Sequence, residues 1–517
     1  MKLNYKRTIL VGFAFFLISA FWQAYDATIP VILTNKFGMS QTWSGVIMAL
    51  DNILAVFMLP LFGALSDKCL TRFGNRTPFI TIGTTIAAIA LVALSFVDAA
   101  QLQNISDVAT IDDPAALTTI YDSQADVKLQ TPEGEDFVLS DIFTREDFAK
   151  IPCKVTNPAT GKTETNPDYT NFVAPARQAY AAQATAKSPT QLILFVVVLL
   201  VILVAMATFR SPAVALMPDV TLKPLRSKAN AVINLMGTAG GILVLVLGIV
   251  FATSAVENAL NSYFVYYAVI AGIMIAALVV FLLTVREKAW SQQMRDDSVR
   301  LGIEEEEPAD TTEKRSLSSS EKKSLILILA SIALWYFGYN AVTSKYAVYA
   351  ANILDKDYNT TMLLAQAAAI VAYLPAGMVA SKIGRKKTIL AGVVMLATAF
   401  AVAAFMRSSS PTLVMNLMFI LAGIAWATIN VNSFPMVVEM CSGSDIGKYT
   451  GYYYTASMAA QIATPMLSGF LMDTVADTVL FPYAAIFVAL AFVTMSLVKH
   501  GDAKVEAKQG LEAFDND

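Results

Sequence analysis

The sequence predicts an all-α membrane protein. Twelve transmembrane helices form two pseudo-symmetric six-helix bundles, with an extracellular insertion between the third and fourth helices. Three observations predict this: the composition, the spacing of apolar stretches, and an internal repeat. Of the 517 residues, 56% are hydrophobic and only 15% charged, and the mean hydropathy is +0.56. A soluble chain is about a quarter charged. Three cysteines in so long a chain exclude a disulfide-built scaffold. The 29 Phe and 19 Tyr exclude disorder. A net charge of −3 without a basic face excludes a nucleic-acid partner.

A bilayer core takes about 20 apolar residues per helix. Such stretches run at 8–33, 43–65, 78–98, 189–217, 229–253, 262–285, 324–347, 361–381, 387–406, 411–437, 449–472 and 480–499. The first is too long for a cleavable signal peptide, and residues Trp22 to Asp26 interrupt it. Lys and Arg gather in the connections that an inside N-terminus would place inside: Lys6, Arg7, Lys68, Arg72, Arg76, Arg210, Lys382, Arg385 and Lys386. The expected topology has both termini in the cytoplasm, in a cell (plasma) membrane.

Two polar segments interrupt the pattern. Residues 286–323, with Glu304–Glu307 and Ser318–Ser320, read as a cytoplasmic linker between six spans and six. Residues 99–188 are acidic and rich in turn residues. Apolar positions such as Phe137, Leu139 and Phe143 suggest a small extracellular fold, against the alternative of a floppy insertion. The organisation is therefore 1–285 for the first bundle with its insertion, 286–323 for the linker, 324–499 for the second bundle and 500–517 for a cytoplasmic tail.

The halves repeat. Tyr25-Asp26-Ala27 in the first span matches Tyr339-Asn340-Ala341 in the seventh, and Gly63 to Asp67 matches Gly377 to Ser381 at the same offset. Asp219 and Lys228 match Glu439 and Lys448 at an offset smaller by about the length of 99–188. A duplicated six-helix unit has a mechanical meaning. Two bundles face each other across a cavity, and rocking exposes it to either side.

The single histidine, His500, falls in the polar tail, which removes histidine catalysis and a histidine-ligated metal from the membrane. No phosphate-binding G-x-x-x-x-G-K-[ST] loop is present, so work must come from a gradient. The chain does not read as an enzyme, and no cofactor is expected. Ionisable groups at membrane depth are costly and mark function. Asp26 in span 1 is the first candidate for a proton-coupling acid, and Asp51 in span 2 the second; a carboxyl in a cavity can trade protons. A polar solute would be bound by aromatic faces, amides and acids set in an apolar cavity. Trp22, Gln23, Tyr25, Asn230, Asn234, Trp335, Tyr339, Asn340, Gln366, Trp426, Asn430, Tyr454 and Gln461 are the candidates. Asp67, Arg72, Arg76, Asp219, Glu439 and Arg385 are the candidate gating charges at the cytoplasmic face.

Gly377-Met-Val-Ala-Ser-Lys-Ile-Gly-Arg-Lys-Lys387 resembles the loop 8–9 signature of the major facilitator superfamily, with Ser381 in place of the usual acid. The loop 2–3 copy, Gly63-Ala-Leu-Ser-Asp67-Lys-Cys-Leu-Thr-Arg72-Phe-Gly74-Asn-Arg76-Thr-Pro78-Phe, is longer. It resembles the glycoside–pentoside–hexuronide:cation symporters, above all their sucrose-carrier-like branch, as does Arg210-Ser-Pro-Ala-Val-Ala-Leu-Met-Pro218-Asp219. The resemblance implies a secondary transporter working by alternating access, with symport of a di- or oligosaccharide or glycoside. Melibiose-carrier-type members place two acids in span 2 where this chain has Ala55 and Leu59, so H+ is expected before Na+. The partners expected are a small-molecule substrate and the lipid bilayer, around a chain that works as a monomer. Drug efflux, nucleoside transport, and a transporter-like sensor using 99–188 remain as alternatives.

Overall fold

A computed structural model of the chain describes residues 3–156, 161, 163–222, 225–301, 318–438, 440 and 446–501. Twelve long helices cross it. They are α1 (Tyr5–Asn35), α2 (Gln41–Lys68), α3 (Thr77–Asn104), α4 (Thr190–Asp219), α5 (Arg226–Val250), α6 (Phe264–Thr284), α7 (Ser319–Tyr349), α8 (Tyr358–Ile383), α9 (Arg385–Ala403), α10 (Thr412–Val438), α11 (Ile446–Thr474) and α12 (Leu480–Ser496). By length and composition, ten helices among the described residues can cross a membrane, so the protein is a multi-pass membrane protein. The other two, α8 and α11, are as long; α8 lines the central cavity and α11 packs on the opposite half.

Each half buries its own apolar core. The packing within them repeats: α1 on α5, α2 on α4, α3 on α4 and α3 on α6 recur as α7 on α11, α8 on α10, α9 on α10 and α9 on α12. The repeat read from the sequence is therefore a repeat of contacts. The halves meet along α2–α11, α5–α8 and α1–α7.

The insertion is folded. Its core holds Ile105, Val108, Leu117, Ile120, Phe137, Leu139, Phe148, Ile151, Cys153, Tyr169 and Val173, joined by Leu260 from the α5–α6 connection. Two short antiparallel pairs, Leu129–Gln130 with Asp136–Phe137 and Lys154–Thr156 with Thr163–Thr165, trim its edge. Burial, with Asp112 and Glu257 nearby, pushes the Cys153 thiol up to about 12, so it is held as an inert core residue. The insertion lies over one end of the bundle, here the cap face; the opposite end, with Tyr5 and Ser496, is the terminal face.

At the cap face of the first half, Lys36 and Asp98 are completely buried and paired at 2.7 Å. The ammonium also donates to the Asn261 carbonyl at 2.8 Å and lies 4.4 Å from the centre of the Tyr263 ring. One charge pair thus joins the ends of α1 and α3 to the start of α6.

The stretch after α6 departs from the linker expected at 286–323. It opens with a helix, Glu287–Arg300. Glu287 is 3% exposed, and its carboxylate accepts from the Asn75, Arg76 and Thr77 amides at 2.6, 2.8 and 2.7 Å and from the Thr77 hydroxyl at 2.6 Å. An acid at a helix N-terminus meets both free amides and a favourable dipole, which outweighs the solvation that composition suggested. Arg7 lies 4.8 Å from the Trp290 ring and bonds Gln293 at 2.7 Å, pinning the same helix to α1. Glu304–Glu307, Glu439 and the tail from residue 502 lie outside the described residues.

Gly74 makes room for Glu287. Its φ is +125°, and an added Cβ would fall 2.2 Å from the Glu287 carboxyl carbon. Gly74→Ala is expected to cost about 1–3 kcal/mol from backbone strain alone, more with the clash. Thermal unfolding of the detergent-solubilised protein checks this; an unchanged Tm would refute the docking of Glu287.

Candidate functional site

Between the halves lies a cavity of about 1290 Å³. Trp22, Gln23 and Asp26 reach it from α1, Arg210 from α4, and Asn230 and Asn234 from α5. Tyr339 faces them from α7, Gln366 and Tyr373 from α8, and Trp426, Asn430 and Asn432 from α10. Tyr339 and Trp426 stack, with centroids 3.6 Å apart and planes 4° from parallel, and Tyr336 meets the same indole edge-on at 5.3 Å. The second half thus offers a stiff aromatic wall, and the first half a polar one.

On that polar wall, the Asp26 carboxylate makes no hydrogen bond or ion pair among the described residues, so its acceptors are open to whatever enters. Trp22 Nε1 is sealed and has no partner among the described residues. The Arg210 guanidinium lies 5.7 Å from the centre of the Trp22 ring and within electrostatic reach of Asp51. An acceptor, donors, amides and an indole face around one space can bind a solute bearing several hydroxyls.

The cavity is closed at the cap face. Gln366 Nε2 donates to Gln23 Oε1 at 2.5 Å, and Gln23 Nε2 donates to the Tyr358 hydroxyl at 3.2 Å, so a chain of bonds crosses between halves above the cavity. Further out, α2 and α11 touch. A Cβ on Gly45 would stand 2.0 Å from the Pro465 carbonyl oxygen, and one on Gly469 2.2 Å from that of Gln41. Asp473 of α11 accepts from the Gln41 and Thr42 amides at 2.7 Å each and from the Thr42 hydroxyl at 2.5 Å, capping α2 from the opposite half. Lys345 donates to the Gln41 carbonyl at 2.5 Å. Asn359 of α8 donates to Thr253 beyond α5 at 3.1 Å, and Ser254 bonds Asp357. At the other end the cavity wall runs down to Gly377, Ala380 and Arg385, at the terminal face. Among the described residues, the hydrogen bonds between the halves gather at the cap face.

Of the residues read as substrate-binding, Trp22, Gln23, Asn230, Asn234, Tyr339, Gln366, Trp426 and Asn430 line the cavity together, as does Asp26. Tyr25 packs beside Phe21 and Trp22 instead. Trp335 is fully buried in the second core, and Tyr454 is 54% exposed away from the cavity wall. Asn340 and Gln461 are half-buried outside that wall, and so is Asp51, which accepts from Asn52 at 2.7 Å. Sequence reasoning placed Arg210 among the cytoplasmic charges. In fact α4 continues nine residues further, to Asp219, which lifts Arg210 off the surface by about 13 Å at 1.5 Å per residue. The signal was there: an arginine inside a helical run that extends past it.

Comparison with known proteins follows the same lines. The Major Facilitator Superfamily profile matches residues 178–372 and 355–513, and that of MFS/sugar transport protein matches 10–101. The chain belongs to the Major Facilitator Superfamily. That superfamily comprises transporters, not enzymes. An MFS-type transporter, ppzB of Metarhizium rileyi, is 28% identical over 142 residues, covering 27% of this chain and 29% of that protein. Sucrose transport protein SUC4 of Arabidopsis thaliana is 27% identical over 74 residues, 14% of each. The matched stretches thus span less than a third of these relatives. The fold is similar throughout to the xylose transporter XylE from E. coli in its inward open conformation, with TM-score 0.59, 14% identity and coverage of 99% of this chain and 100% of that one.

The superfamily's loop motif is built around Arg76. The guanidinium, 7% exposed, pairs with Asp67 at 2.5 Å and Asp219 at 2.8 Å, and bonds Ser66. These contacts join the terminal ends of α2, α3 and α4, all in the first half. Arg72 stays apart, with its guanidinium 4.6 Å from the Phe73 ring. Arg385, at the start of α9 in the second half, is buried and borders the cavity.

The seam at Asp473 is testable. Ser44, fully buried on α2 against α11, is replaced by cysteine in a protein lacking Cys69, Cys153 and Cys441. Asp473→Ala is then expected to speed thiol labelling at position 44 by about tenfold or more, as loss of charge-assisted hydrogen bonds implies. An unchanged rate would show that Asp473 does not hold the cap face shut.

Proposed function

We propose that the protein is a secondary active transporter that carries a sugar, a di- or oligosaccharide or a glycoside, together with protons by alternating access. The observation that supports this most is the cavity in which Asp26, Arg210, Trp22 and six amide side chains gather beside a stacked aromatic pair. Hydroxyl groups suit such a mixture of donors and acceptors, and a pyranose face suits the indole of Trp22. The match of residues 10–101 to a sugar transport family points the same way.

In this reading Asp26 holds the coupling proton and Asp51 acts on it through charge. Asp26 faces the cavity and so meets water and solute together, the arrangement that coupling requires. Arg210, on the same wall, is within electrostatic reach of Asp51. Transport then alternates two closures. The cap seam opens as the terminal face closes, and Asp67, Arg76, Asp219, Arg385 and Glu439 supply the charges that meet there, with Arg72 at their edge. The Lys/Arg-rich terminal face lies in the cytoplasm of a plasma membrane by the positive-inside rule, with the insertion outside. One chain encloses the cavity, so it works as a monomer. No acid pair stands at Ala55 and Leu59, and H+ is the coupling ion before Na+.

Purified protein in liposomes tests the proposal. Disaccharides or glycosides are expected to accumulate when an inward proton gradient is imposed, and a protonophore should abolish this. Asp26→Asn is expected to remove accumulation while leaving counterflow exchange. Accumulation unchanged in Asp26→Asn would reject the coupling role. A ligand panel separates the solutes: saturation at about 100 times Kd adds about 2.7 kcal/mol to stability, and stabilisation by nucleosides or apolar amines alone would reject the sugar.

A further inference from the structure

The insertion is mounted on the first half and only rests on the second. Its helix Ala174–Lys187 packs on the end of α1, where a Cβ on Gly38, at φ +64°, would fall 2.2 Å from the Ala182 nitrogen. Gln178 donates to Asn35 at 2.8 Å, and Gln101 of α3 donates to the Lys36 carbonyl at 2.7 Å and to the Thr185 hydroxyl at 3.1 Å. Gln101 and Thr185 are buried, and Leu260 completes the shared core. Contact with the second half falls at two points. Thr165 bonds Asp355 of the α7–α8 connection, its amide donating at 3.2 Å, and a hairpin tip reaches the α11–α12 connection.

The hairpin joins Leu129–Gln130 to Asp136–Phe137, and its turn is tied down. The Thr131 amide donates to the Glu135 carbonyl at 2.8 Å, the Gly134 amide to the Thr131 carbonyl at 2.9 Å, and the Glu135 amide to the Thr131 hydroxyl at 3.1 Å. Phe137 roots it in the insertion core, edge-on to Phe172 with centroids 5.1 Å apart. The tip fits one place on the second half. Gly134 has φ +92°, and a Cβ there would stand 2.4 Å from the Val475 carbonyl oxygen and 2.8 Å from the Ala476 Cβ. The Asp477 amide opens the turn Asp477–Val479 into α12, where its own turn has no carbonyl to offer. The Pro132 carbonyl accepts from it at 2.9 Å, and Glu133 pairs with Arg407 at 3.2 Å on the rim. About one turn earlier, Asp473 caps α2. The first half therefore holds the end of α11 from two sides, by α2 directly and by the hairpin.

We propose that the hairpin tip, Thr131 to Gly134, is a clasp that must lift from the α11–α12 connection before the halves can part at the cap face, and so sets how often they part. The tip leaves the second half because that side is the weaker one. It has one backbone hydrogen bond, the Thr165–Asp355 contact and an exposed ion pair, against buried bonds and a shared core on the first half. Lifting exposes the Asp477 amide to water, which replaces most of the lost bond. The step is therefore costly enough to slow opening and cheap enough to repeat in every cycle. The insertion acts in the cycle instead of merely covering one end of it. The clasp rests on alternating access and on no particular solute.

The test follows thiol labelling at position 44 in the full-length protein carrying Ser44→Cys and lacking Cys69, Cys153 and Cys441. Gly134→Val, which neither accepts the backbone angle nor clears Val475, is expected to speed labelling by about tenfold. Glu133→Lys sets like charges face to face on the surface and is expected to speed it by about twofold to fivefold. Adding Arg407→Glu to that variant should return the rate to that of the parent. This surface pair keeps the result readable if Gly134→Val does not fold. Asp473→Ala is the control for opening of the seam. A rate that rises in Asp473→Ala but in neither hairpin variant would overturn the clasp and leave alternating access standing. A rate that rises in none of the three would reject opening at the cap face, and the clasp with it. A rise in Glu133→Lys that Arg407→Glu fails to reverse would also overturn the clasp.

Discussion

Two bundles that touched along their whole length would enclose nothing. Here α2 and α11 come together at the cap face alone, where Gly45 and Gly469 let the backbones approach and Asp473 caps α2 across the divide. Everything below that seam follows from it. With the halves joined at that end, the cavity lies between them below the seam. The polar groups that face it need not satisfy one another as they would against lipid. Asp26 is left available for the same reason.

The symmetry of the contacts explains how much of this was legible in the sequence. Twelve spans and the repeat are properties of apolar stretches and motif offsets, and lipid enforces both strictly. Most of the cavity residues were legible too, because an amide or acid inside an apolar helix has few other tolerable places. Rotation about the helix axis was not. Tyr25, one position from Asp26, turns to the core, and Trp335 does the same on α7, since each position turns about 100°. Depth was also misread where a charge decided it: Arg210 has the composition of a cytoplasmic end, but helix length sets its height. Glu287 was hidden because its partners are backbone amides some two hundred residues earlier, which no local pattern records.

The insertion shows what composition undervalues. Its apolar residues are few, yet they pack with Leu260 of the bundle, so the domain borrows part of its core from the helices below. It then reaches over the second half. Glu133 meets Arg407 at 3.2 Å, the Pro132 carbonyl accepts from the Asp477 amide at 2.9 Å, and Thr165 bonds Asp355. The ion pair is exposed and contributes about 0–1 kcal/mol, but the neighbouring contacts are half-buried, and a Cβ on Gly134 would fall 2.4 Å from the Val475 carbonyl oxygen.

The Lys36–Asp98 pair behaves in the opposite way. Both charges are sealed from water, and parting them would strand each in a medium that cannot solvate it, a penalty of about 3–5 kcal/mol when one partner is lost. The ends of α1, α3 and α6 are therefore welded at that corner through any rearrangement of the halves. A lever needs one point that does not yield. The first half carries its fulcrum at the edge where the insertion is mounted, so the insertion travels with that half and sweeps across the other.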